Sequence, residues 1–258
     1  MKSLHLLCVS AVAMFALGGD AGAASPPPGY LPGVVLTYTA PKPPPPGSPL
    51  DQLDLARVRA AQADSTPAQR DEAFEDAEAY VGPQVITRFA SATGVPLSSK
   101  NAPILTYILT RVIEDTAAIG RKEKAANGRN RPYVGHPEIS ACDVKFIKSG
   151  ESYPSGHAMN GYVVAGILAE VFPDRATPIV ARGLRYGTNR VVCGVHHPID
   201  VEQGQLLGVA YLEALKTNPE FKTDTECARH EAAVNLGQET ELPMACKAVA
   251  ATAKSLLP

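Results

Sequence analysis

Apolar residues recur at intervals of three and four along most of the chain, which is the spacing of one helix face. The clearest case is Ala102–Ile119, where Ile104, Leu105, Ile108, Leu109, Val112 and Ile113 form a continuous stripe. Ser155–Phe172 is apolar on nearly every side and stops before Pro173, so it predicts a helix buried all round. Asp51–Ala63 and Pro67–Tyr80 are rich in Ala, Glu and Arg, with Ser65-Thr66-Pro67 as break and cap between them. Thr177–Arg190, Pro198–Leu215, Pro219–Val234 and Leu242–Leu256 complete the set. Strand alternation is scarce, and Val34–Thr39 is the one fair candidate. The pattern predicts an all-α, single-domain helical bundle over residues 51–258.

Two segments precede that domain. Met1-Lys2, the apolar run Leu4–Leu17 and the small-residue site Ala21-Gly22-Ala23 have the order of a cleavable signal peptide over residues 1–23. The run is short for about 30 Å of hydrocarbon, and no later stretch offers about 18 uninterrupted apolar residues, so no membrane insertion is expected after cleavage. Residues 24–50 form a lead-in arm: ten of the 23 prolines fall between 26 and 49, which favours extended backbone draped on the surface or left disordered.

Cleavage would remove Cys8 and leave Cys142, Cys193, Cys227 and Cys246, an even number suited to two disulfides in an oxidising compartment. Three pairings are open. The reading favours Cys227–Cys246, a short C-terminal loop, and Cys142–Cys193. No CxxC spacing suggests a zinc site. A net charge of −2, no Trp and 6% aromatic residues give no case for a nucleic-acid polymer as partner.

Three islands exceed what a bundle requires. Lys124 to Pro132 is a basic segment between helices, with Lys124 and Arg131 as fixed cations. Tyr153-Pro154-Ser155-Gly156-His157 opens the most apolar helix, with Ser155 as cap and Gly156 allowing close approach of a ligand. Asn189 to Asp200 carries Arg190, then His196 four residues before Asp200. Together they supply three cations for a dianion, a helix N-terminus aimed at it, an Asp-held histidine as nucleophile and a second histidine, His157, as acid. No metal or other cofactor is needed for such chemistry. Of the remaining histidines, His136 reads as a loop residue, His197 as facing away or capping the helix at Pro198, and His230 as surface.

The ordered spacing Lys-x6-Arg-Pro, Pro-Ser-Gly-His and Arg-x5-His-x3-Asp resembles the signature of the phosphatidic-acid-phosphatase-type superfamily, which includes vanadium haloperoxidases. Within it the chain looks most like the bacterial class A non-specific acid phosphatases: it shares their export signal, Pro-rich lead-in and Val-Cys-Gly-x-His run at Val192–His196. The resemblance implies a periplasmic enzyme hydrolysing small phosphate monoesters. His196, His157 and Asp200 would be catalytic; Lys124, Arg131, Ser155, Gly156 and Arg190 would hold phosphate. It also implies homo-oligomers through helical surfaces and phosphotransfer to alcohols as a side activity. One position departs from the family: Asn189 replaces the usual Ser; its amide is able to donate to phosphate, and the effect of the exchange on oxygen coordination and substrate range is left open. Rival readings are a vanadium-dependent haloperoxidase with His196 as apical ligand, a lipid-phosphate phosphatase, disfavoured by the missing membrane helices, and a non-catalytic periplasmic phosphate-binding protein.

Overall fold

The computed structural model describes residues 26–80, 82–142 and 150–257; the expected signal peptide, with Cys8, lies outside them. Among the described residues there are ten α-helices: α1 (Pro49–Asp64), α2 (Pro67–Glu78), α3 (Gly82–Thr87), α4 (Ala90–Thr93), α5 (Pro103–Asn127), α6 (Gly156–Val171), α7 (Ala176–Val192), α8 (Pro198–Leu215), α9 (Pro219–Asn235) and α10 (Met244–Leu256). The protein is all-α, as its periodicity predicts. Pro occupies the first turn of α1, α2, α5, α8 and α9, where a missing amide costs nothing.

α6 is the centre of the bundle. It packs on α5, α7, α8 and α9, and Val163, Val164, Ile167 and Leu168 are almost wholly removed from water. Its contact with α7 is close because glycines face each other: a Cβ on Gly183 would lie 2.5 Å from Gly161 O and 2.3 Å from Ala165 Cβ. Gly204 of α8 does the same for the start of α6, where a Cβ would meet Ser155 O at 2.2 Å. Small residues thus bring three helices within reach of one another at the end that carries the second and third islands.

Two expectations need correction. Val34–Thr39 forms no strand; Val34, Leu36 and Tyr38 pack on the core, and Tyr38 Oη donates to Gln203 Oε1. The arm takes the first of its two expected forms, laid on the surface over the described residues and clamped: Arg111 donates to Pro28 O (2.8 Å), Leu31 N to Asp115 Oδ2 (2.9 Å) and Tyr30 Oη to Asp224 (2.6 Å). Finally, α5 continues eight residues past Ile119, because Arg121 to Ala126 are good helix formers even without an apolar stripe. Lys124 therefore sits on the last turn of a helix rather than in a loop.

Both favoured disulfides are present, Cys142–Cys193 and Cys227–Cys246. No helix among the described residues is long and apolar enough to cross a membrane.

Candidate active site

Backbone and side-chain hydrogen bonds tie the three islands together. Lys124 Nζ donates to the carbonyls of Glu151 (3.1 Å) and Ser152 (3.0 Å), just before the second island. Arg131 Nη1 donates to Val195 O (2.8 Å), and Ser155 N donates to Asp200 O (2.9 Å). The third island turns sharply after α7. Gly194 adopts φ +65°, and a Cβ there would also collide with Ser140 O at 2.6 Å, so only glycine fits the turn. Val195 N and His196 N then both bond Arg190 O, which places His196 beside Arg190.

His196 is buried, with Nε2 3.4 Å from Arg131 Nη1. Its Nδ1 lies 3.3 Å from Ser152 Oγ and 3.5 Å from Asp200 Oδ2, as expected for a ring oriented from behind. Asp200 is completely buried. Its Oδ2 accepts from Ser152 Oγ and His197 N (2.8 Å), and its Oδ1 from Arg129 Nη1 (2.8 Å). Burial opposes ionisation of Asp200, but the bonds from His196 and His197 outweigh it and hold the carboxyl well below the usual range. His197 caps α8, with Nδ1 3.3 Å from Asp200 Oδ2.

His157 follows the first residue of α6, beyond the cap Ser155, whose Oγ accepts from Ala158 N (3.3 Å). The ring is packed between Tyr80, with centroids 4.9 Å apart, and Tyr186, at 5.8 Å. The carbonyl of Ala77 favours its charged form, while its buried Nε2 has no partner. Burial, then the charge of Arg190, pushes His157 well below its ordinary pKa; burial does the same to His196, against the pull of Asp200.

The cations are equally unusual. Arg190 is 3% exposed, and its Nε and Nη1 are buried without hydrogen-bond partners. Burial lowers its pKa to about 10, and burial together with neighbouring Arg131 lowers Lys124 to about 7. Positive groups crowded together out of water, with the Nε and Nη1 donors of Arg190 open, are an arrangement that an anion stabilises. The charges of Arg190 and Arg131 act on both His157 and Lys124.

The effect of Asn189, left open by the sequence, has a structural answer. Its amide donates to Asp76 Oδ2 (2.8 Å), a fully buried carboxylate that also receives Arg88 Nε (2.8 Å) and Arg182. The amide is thereby engaged with α2. His136 lies on the surface beside Arg59 and Glu138, and His230 pairs with Glu239, in keeping with their plain readings.

Sequence reasoning passed over Ser152, Arg129, Asp54 and Tyr80. Arg129 joins Asp200 to Asp54 (2.8 Å) and Asp51 (2.7 Å) of α1. A signal did exist for Asp54: it stands four residues before the buried Val58, a polar residue on the apolar stripe of α1.

Comparison with known proteins bears on the same residues. Residues 101–223, which hold all three islands, match the model of the PAP2 superfamily. The chain is 35% identical over 199 residues to an acid phosphatase of Zymomonas mobilis, covering 76% of this chain and 74% of that one. It is 33% identical over 196 residues to a non-specific acid phosphatase of Providencia stuartii (73% and 78% covered), and 30% identical over 197 residues to one of Salmonella typhimurium (73% and 77%). On this likeness the chain belongs to the PAP2 superfamily, within its family of bacterial acid phosphatases.

Proposed function

We propose that this acid phosphatase hydrolyses a broad range of phosphate monoesters in the periplasm through a covalent phosphohistidine, with no metal ion. The observation that carries the proposal is the set of buried nitrogens without protein partners, Arg190 Nε and Nη1 and His157 Nε2, in the locality of His196. The phosphoryl oxygens would take up the open donors of Arg190, together with Lys124, Arg131 and the N-terminal amides of α6 at Gly156 and His157, capped by Ser155.

In the first step the His196 Nε2 lone pair forms the N–P bond. The P–O ester bond breaks, and its electrons go to the leaving oxygen, which takes the Nε2 proton of an imidazolium His157, the form that the bound phosphate dianion restores against burial and the charge of Arg190. In the second, water gives a proton back to His157 while its oxygen attacks phosphorus, and the N–P electrons return to His196. Asp200 keeps His196 in the tautomer with Nε2 free and stabilises the charge it acquires. The carbonyl of Ala77 favours the charged form of His157, whose unpartnered Nε2 is the nitrogen left to exchange a proton with substrate. The charges of Arg131 and Arg190 around the phosphate position repel a divalent cation, which favours the metal-free reading. Broad specificity rests on the names of the relatives, and export on the N-terminal sequence and two disulfides.

The test is hydrolysis of p-nitrophenyl phosphate at several pH values with excess chelator, followed by acid-labile labelling of the protein from phosphate-labelled substrate. Activity should survive chelation, and the label should be missing from His196→Ala. Turnover that needs added divalent ion, or label that persists in His196→Ala, defeats the scheme.

A further inference from the structure

In-line displacement fixes where the alcohol goes. It leaves opposite the attacking His196, on the side where His157 must reach the departing oxygen. The residues packed around His157 therefore bound the space that a leaving group enters. Two are aromatic, and they differ in one respect. Tyr186 is completely buried, its hydroxyl donating to Ala79 O, and it backs the imidazole from within the core. Tyr80 lies against the same imidazole but keeps 40% of its surface exposed.

Tyr80 is also placed over the phosphate end of the site. A Cβ on Gly156, the first residue of α6, would lie 3.6 Å from its hydroxyl oxygen. The positive charges of Arg190 and of Arg121, one turn before Lys124 on α5, act on that hydroxyl. The backbone beneath it is held on both sides: Ala79 O accepts from Tyr186 Oη, and Tyr80 N donates to Gln84 Oε1 at 3.3 Å. An aromatic ring held beside the imidazole with part of its surface open to solvent can act as a stacking platform whose entropy cost is already met by the fold.

We infer that Tyr80 is a specificity residue: its exposed face stacks on planar leaving groups, so that aryl and nucleoside monophosphates are favoured over sugar and alkyl monophosphates. This rests on the phosphatase reading and adds to it a preference among substrates.

A matched pair isolates the effect. Adenosine 5′-monophosphate and ribose 5-phosphate release the same kind of primary alcohol and differ in the planar base. The quantity to follow is the ratio of their kcat/KM values, in which any general loss from disturbed packing of His157 cancels. Base–aromatic stacking of ordinary strength predicts that Tyr80→Ala lowers this ratio at least about fivefold. Tyr80→Leu, which keeps apolar bulk over the imidazole without a flat face, should lower it too, while Tyr80→Phe should preserve it. Phenyl phosphate measured alongside reports whether a ring bonded directly to the ester oxygen benefits equally. A ratio unmoved in Tyr80→Ala and Tyr80→Leu overturns the inference. So does an equal fall in Tyr80→Phe, which would make the hydroxyl the active group. If the native enzyme turned over neither ester, the phosphatase reading itself would fail, an outcome distinct from an insensitive ratio.

Discussion

Arg190→Met separates the cost of the site from its use. The guanidinium is fully buried, with two nitrogens unbonded, and burial depresses its pKa to about 10. Because the folded-state value is the lower one, the charged form is disfavoured in the folded protein at every pH below about 10, neutral pH included. The depression corresponds to about 3 kcal/mol of destabilisation. Methionine keeps the length and apolar stem without the charge. In a chain of this size each kcal/mol moves the melting temperature by about 2–4 °C, and imperfect packing takes back part of the gain. The variant should therefore melt several degrees higher than the native protein without phosphate. Saturating phosphate should stabilise the native protein by mass action and the variant far less. Turnover of p-nitrophenyl phosphate should fall about 10²–10³-fold, the usual effect of one well-placed donor. Thermal scans with and without phosphate, beside steady-state kinetics, give all three quantities. A variant that melts lower without phosphate, or keeps activity within tenfold, refutes the view of Arg190 as an uncompensated cation awaiting an anion.

Two further outcomes follow from the same geometry. His157 and His196 are both depressed well below the ordinary histidine value, so as pH falls through about 6.5 the unfolded chain binds protons that the folded protein refuses. The ligand-free protein should melt lower at pH 5 than at pH 7, and bound phosphate should shrink the difference; a pH-independent midpoint would contradict the burial of these rings. Asn189→Ala leaves one oxygen of the buried Asp76 short of a donor, a loss of about 1–3 kcal/mol measurable by denaturant titration. The KM for p-nitrophenyl phosphate should move less than about threefold, since the amide faces Asp76; a tenfold rise would place it on the phosphate after all.

How much of this was legible along the chain depended on whether the deciding contact is local. Helix starts were readable because caps and first-turn prolines lie within four residues of one another: Ser155 before α6, Pro198 before α8, Pro219 before α9. The end of α5 was not, because helix propensity carried the chain on after the apolar stripe had stopped. The arm was ambiguous for a related reason. Polyproline spacing says that residues 26–48 are extended, but their order comes from Arg111, Asp115 and Asp224, some 80 to 190 residues away.

The site shows the same division more sharply. The groups proposed to hold phosphate fall within three short islands, each of them one turn or one helix end with its own local geometry. What holds the islands in register has no such spacing. Asp54 reaches Asp200 through Arg129, so α1, the basic segment and α8 are linked through a charge network that is satisfied only after all three meet. Asn189 makes the point from the other direction. Next to Arg190 it reads as another phosphate donor, yet successive residues on a helix point about 100° apart. With Arg190 on the site face of α7, its neighbour is carried round to the face that packs on α2, where Asp76 waits with Arg88 and Arg182. Asn189 thus joins α7 to α2, the helix whose end leads directly into Tyr80.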